Sequence, residues 1–103
     1  MFGTPVIRYS GDPSCTVTTV AVFGGAGSSL IGEAVRAGAE AFITGDIKYH
    51  AFSESRGKML IADVGHYESE IFSLELLRDL IKKKFPKFAL RFSGINTNPI
   101  NYF

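Results

Sequence analysis

Three apolar runs in this chain end at glycine, and each is followed by a stretch with helical spacing. Residues 16–23, rich in β-branched side chains, run into Gly24-Gly25-Ala26-Gly27-Ser28-Ser29. Residues 41–44 run into Gly45-Asp46, and residues 59–63 into Val64-Gly65-His66. Apolar runs this short, closed by glycine, read as buried strands. Leu30, Ile31, Ala34, Val35 and Ala39 then recur with helical spacing, and residues 47–56 and 68–84 read as two further helices. Strands alternating with helices require right-handed crossovers and parallel pairing. With residues 6–9 as a first strand and 88–92 as a last one, the expectation is an α/β fold. Its sheet is largely parallel, of about five strands, with three helices. A chain of 103 residues suffices for one small domain, residues 1–103.

Charge and cysteine content narrow the function classes. The formal net charge is +1, so no basic surplus points to nucleic acid. Lys82-Lys83-Lys84 falls at the negative end of the last helix and reads as a solvated terminus. Cys15 is the only cysteine, which excludes a disulfide framework and makes a reducing, cytoplasmic setting the expectation. Neither a signal peptide nor a membrane span is expected from the apolar runs. The nine phenylalanines fall mostly on strands and helix faces and are expected in the core rather than in a base-stacking platform.

In open α/β sheets, ligands bind beyond the carboxyl ends of the strands, where all three glycine turns fall. His66 and Glu70 are four apart at the start of a helix, so they share a face. An imidazole beside a carboxylate suits a divalent transition metal such as zinc, iron or nickel. The plainer alternative is a helix start whose Glu68 and Glu70 answer the dipole. Asp46 and His50 are likewise four apart, and Asp46 could equally be a helix cap. The turn Gly24, Gly25, Gly27 and Ser28 could hold an anion on free amides, although a tight turn capped by Ser28 or Ser29 is the favoured reading. It fits neither the Walker loop nor the dinucleotide fingerprint.

Four motifs together resemble the C-terminal part of the Nif-three-like family, the GTP cyclohydrolase one type two homologs. They are Val20-Ala21-Val22-Phe23-Gly24-Gly25-Ala26-Gly27-Ser28, Phe42-Ile43-Thr44-Gly45-Asp46-Ile47-Lys48-Tyr49-His50, Asp63-Val64-Gly65-His66-Tyr67-Glu68-Ser69-Glu70 and Asn96-Thr97-Asn98-Pro99-Ile100. The resemblance implies one half of a two-lobed α/β protein with a dinuclear metal site between its halves. It implies His66 and Glu70 as metal ligands, with Asp46, Tyr49 and His50 lining the cleft or standing behind the ligands. The His-His pair and aspartate of the family's first half are not in this chain. A missing N-terminal half or a neighbouring chain is therefore expected to complete the site. Hexameric rings in the family make self-association an expectation, and metal-dependent hydrolysis is the implied chemistry of the completed protein. A non-catalytic assembly or interaction module with an idle metal rim is the alternative.

Overall fold

The computed structural model describes residues 3–103. Four strands, β1 (Arg8–Ser10), β2 (Val20–Ala26), β3 (Ala41–Gly45) and β4 (Leu60–Asp63), form one sheet in the order β1-β4-β3-β2. β2, β3 and β4 pair in parallel. β1 is antiparallel to β4, with Arg8 opposite Asp63. The sheet is thus mixed and mostly parallel, with four strands rather than five.

Residues 88–92 are the strand that does not form. Their apolar alternation is real, but they pair with neither edge strand of the sheet, β1 or β2. They pack instead against the last helix. Leu90 and Phe92 share a small cavity with Leu74, Leu77 and Ile81, and the Arg78 guanidinium lies 5.1 Å from the centre of the Phe92 ring.

The helices are shorter than the sequence pattern predicts. A 3-10 turn (Ser28–Leu30) leads into α1 (Ile31–Arg36), and α2 covers Tyr49–Glu54. The long pattern over 68–84 divides into α3 (His66–Glu70) and α4 (Ser73–Lys84), with a turn at Ile71 and Phe72 between them. β2 starts four residues later than expected and runs into the glycines, with a register irregularity between Val22 and Ala26. Glycine tolerates that distortion at low steric cost.

α1 and α2 cover one face of the sheet. The buried cluster there is Ala34, Ala39, Phe42, Ile47, Met59 and Ile61, with Ala21, Ala51 and Phe52 packed against it. Phe42 is the one phenylalanine in that cluster. Phe23, Phe72, Phe85, Phe88 and Phe92 are exposed, which corrects the expectation of a phenylalanine core; Phe2 lies outside the described residues. Of these rings, Phe23 lies on β2 and Phe72 borders α4, while Phe85, Phe88 and Phe92 follow α4. On the second face of the sheet Val20 and Val22 are exposed, although parallel sheets normally bury both faces. Among the described residues, no helix is long and apolar enough to cross a membrane.

Candidate functional site

Parallel pairing puts the carboxyl ends of β2, β3 and β4 on one edge, so their three turns converge. The approach is close enough to exclude side chains. A β-carbon on Gly45 would sit 2.8 Å from the backbone of Gly65 and His66. Val64 donates its amide to the Thr44 carbonyl at 2.9 Å, which extends the β3–β4 pairing to the start of α3. Thr44 is fully buried; its hydroxyl donates to the Gly25 carbonyl at 2.8 Å and accepts from the Gly27 amide at 3.0 Å. Ser69 ties α3 to the same turn, accepting from the Gly25 amide at 2.9 Å and donating to the His66 carbonyl at 2.8 Å.

Two amides of the glycine turn, those of Gly25 and Gly27, are therefore engaged within the protein. Among the described residues the buried Ser28 hydroxyl has no hydrogen-bond partner, and the 3-10 turn it opens has no side-chain cap. The expected serine cap is absent there.

Gly65, at φ 89°, starts α3 and turns His66 and Glu70 towards the rim. His66 Nδ1 is 2.7 Å from Asp46 Oδ2, and His66 Nε2 is 3.4 Å from Glu70 Oε2. All three side chains are about half exposed, at 43%, 55% and 54% for His66, Asp46 and Glu70. Asp46 has a left-handed backbone, φ 54°, the only non-glycine among the described residues to do so. Aspartate tolerates that conformation better than most residues, and such local strain concentrates at functional sites. The Asp46 hydrogen bond raises the His66 pKa above its usual 6.5; partial desolvation opposes this, and the Glu70 charge adds to it.

With the Nδ1 proton held by Asp46, a neutral His66 ring turns a lone pair at Nε2 towards Glu70. Gly25 backs onto this pair: a β-carbon there would overlap Glu70 Oε1 and stand 3.2 Å from His66 Nε2. Asp46, His66 and Glu70 also line a cavity of about 460 Å³ with Tyr67, Ile71, Ser73, Leu74, Asn98, Pro99 and Ile100. The two carboxylates flank opposite sides of the imidazole rather than converging on one point. Among the described residues, no group of three or more His, Cys, Asp or Glu side chains is arranged to hold a metal ion.

Asp46, His66 and Glu70 are thus brought together, while Tyr49 and His50 stand apart. Their rings meet edge to face at 5.7 Å on exposed positions of α2, and neither lines that cavity. Two buried carboxyls escaped the sequence reading. Asp63, 4% exposed, forms an ion pair with Arg8 and accepts from the amides of Ile47 at 2.9 Å and Gly65 at 3.0 Å. Glu68, placed by sequence in an acidic first turn, is 7% exposed and faces residues 98–102. For Asp63 the available signal was its position between an apolar strand and a glycine turn; for Glu68 there was none.

The sequence model of Duf34/NIF3 (NGG1p interacting factor 3) matches residues 1–99. A Staphylococcus epidermidis protein called GTP cyclohydrolase 1 type 2 homolog is 36% identical over 103 residues, covering 95% of this chain and 28% of that protein. A Streptomyces coelicolor protein of the same name is 44% identical over 66 residues, covering 62% of this chain and 23% of its own length. The crystal structure of Staphylococcus aureus protein SA1388 superposes with a TM-score of 0.84 at 27% identity, over 99% of this chain and 34% of that one. A Bacillus cereus protein related to NIF3 does so at 0.81 and 25% identity, over 99% and 29%. This chain spans only about 28% of the length of the first of these relatives.

Proposed function

The chain belongs to the Duf34/NIF3 family, and from that premise we propose that it supplies two ligands to a divalent-metal centre completed by residues outside this chain. The ligands are His66, through Nε2, and Glu70. The observation that carries the reading is the 3.4 Å separation of His66 Nε2 and Glu70 Oε2, with Nδ1 already held by Asp46. The donor chemistry fits: nitrogen with carboxylate suits zinc, iron or nickel, whereas calcium and magnesium favour oxygen ligands alone. Two donors are fewer than the three or four a zinc site takes, so this chain provides a half-site. A missing N-terminal half, or a neighbouring chain, would supply the rest.

In the completed protein the reaction we propose is metal-assisted hydrolysis, on the ground of the relatives' name, GTP cyclohydrolase 1 type 2 homolog. A bound transition ion supplies Lewis acidity to such a reaction. The residues of this chain do the positioning. Asp46 fixes the imidazole tautomer and ring plane, which strengthens His66 as a donor. Gly25 leaves the space that Glu70 occupies. Tyr67, Ile71, Leu74, Pro99 and Ile100 give the cavity beside the pair an apolar wall. Neither lysine nor arginine lines this cavity, so a nucleotide's phosphates would be met by groups outside it.

The test is zinc titration of the chain by calorimetry. Weak binding is expected, and His66→Ala and Glu70→Ala should each lower the affinity by about tenfold or more without unfolding the protein. Zinc affinity unchanged in His66→Ala would overturn the assignment.

A further inference from the structure

α3 carries a carboxyl that the metal reading does not use. Glu68 Oε1 accepts hydrogen bonds from Asn98 Nδ2 at 3.1 Å and from the Tyr102 hydroxyl at 3.3 Å. Its Oε2 is buried without a hydrogen-bond partner among the described residues. A β-carbon on Gly65 would overlap that oxygen and stand 3.4 Å from the Tyr102 hydroxyl. The carboxyl is therefore clamped between the turn that begins α3 and the C-terminal segment. The Tyr102 phenol is pushed above its usual pKa, first by partial desolvation and then by the Glu68 charge.

Residues 93–103 contain neither helix nor strand. A stretch without helix or strand holds one conformation only where something ties it down. Locally, its own side chains shape it: the Asn98 amide donates to Asn96 Oδ1 at 3.0 Å, and the Ile100 amide to Asn98 Oδ1 at 3.1 Å. These turns set the conformation but anchor it to nothing. Glu68 joins it to the folded body. Between its two anchor points lie Pro99 and Ile100, which line the cavity that holds Asp46, His66 and Glu70. Ile100 and Tyr102 also line a neighbouring cavity of about 200 Å³ with Asp46 and His66.

We propose that Glu68 is a positioning residue: by holding Asn98 and Tyr102 it fastens residues 98–102 as a strap that walls the His66–Glu70 cavity. A net hydrogen bond to a buried carboxyl is worth enough to decide whether so short a segment stays closed. The inference does not rest on the metal reading, because the strap and its anchor are present whatever the cavity holds. It gives a role to a side chain that points away from the rim, two residues from each proposed ligand.

The experiment is amide hydrogen exchange by NMR on the full chain, with Glu68→Ala, Glu68→Gln and Tyr102→Phe. Asn98 and Ile100 report on the strap. Val64 and Leu60, whose amides are bonded to Thr44 and Glu40, report on the sheet. In Glu68→Ala the Asn98 and Ile100 amides should exchange about tenfold faster, with Val64 and Leu60 unchanged. Contacts between the Ile100 methyls and the His66 ring should weaken in parallel. Tyr102→Phe should do the same to a smaller degree, and Glu68→Gln, which keeps the acceptor oxygen, should restore protection. Should Glu68→Ala fail to fold, Tyr102→Phe decides, since it removes only a hydroxyl. Unchanged strap exchange, equal acceleration at Val64, or failure of Gln to restore protection would each overturn the proposal.

Discussion

Gly25 lies against the end of the Glu70 side chain so closely that no β-carbon fits between them. The glycine is held at φ 73°, in the left-handed region, and its amide is bonded to Ser69. The edge strand therefore fixes where the Glu70 carboxyl can lie.

Gly25→Ala should act on this relationship. The left-handed backbone alone costs an L-residue roughly 1–2 kcal/mol, a loss readable by urea denaturation. The carboxyl end of Glu70 is flexible and should swing away from the new methyl, which separates it from His66 Nε2. Zinc affinity is expected to fall about tenfold as a result. Full affinity in a folded Gly25→Ala protein would remove the packing role assigned to this glycine.

His66 makes stability depend on pH in a defined direction. Its folded pKa is raised above 6.5, chiefly by the Asp46 hydrogen bond, while the unfolded chain keeps the ordinary value. The stabilisation is thus complete below the unfolded pKa and is lost as pH rises through the folded one. With the ring half exposed, solvent screening keeps the effect small. An NMR titration of the His66 ring should show the raised pKa, and Asp46→Asn should lower it. Zinc competes with the proton, so its affinity should rise with pH and level off above the folded pKa.

Asp63→Ala should be the most damaging single change to the fold. It removes the acceptor for two backbone amides, at Ile47 and Gly65, and leaves Arg8 without its carboxylate. Leaving two amides in the fold without their acceptor costs about 3 kcal/mol, while Arg8, largely exposed, keeps its water. Denaturation midpoints should show this. The conservative Asp63→Asn should recover part of it, because one carbonyl oxygen remains as an acceptor.

Self-association is the fourth expectation. Val20 and Val22 on the open sheet face are exposed, as are Leu76, Leu77 and Leu80 on α4. An exposed apolar area of this kind is the ground for the expectation. Light scattering across a concentration series should show a mass above the 11.2 kDa of the chain, and Val22→Lys should lower it. A clean monomer at high concentration would count against the idea.

The parallel part of the fold was legible because each of its strands is an apolar run closed by glycine. The fifth strand was misread for a reason no local pattern contains. Residues 88–92 alternate as a strand does, yet their apolar side chains meet Leu74, Leu77 and Ile81 of α4 instead of a sheet edge, a choice made by tertiary packing. Spacing placed His66 and Glu70 on one helix face, and the turns placed Asp46 near them. Spacing could not tell that Asp46 would reach His66 while His50, on the next helix, would pair its ring with Tyr49. Glu68 was read by its position in a first turn, whereas its burial depends on Asn98 and Tyr102, which lie 30 and 34 residues away.

The Ser69 hydroxyl, which joins the Gly25 amide to the His66 carbonyl, also bears on the order in which the site is assembled. It spans 44 residues of chain, against 20 for the Asp46–His66 contact. Closing the longer loop costs more chain entropy, and contacts distant in sequence slow folding. The imidazole can meet Asp46 once β3 and β4 have paired, but Glu70 is confined only after β2 docks on the far side of β3. On this ground the His66–Glu70 spacing is expected to be set late in folding, and fraying of that edge strand would loosen Glu70 while leaving His66 and Asp46 in place.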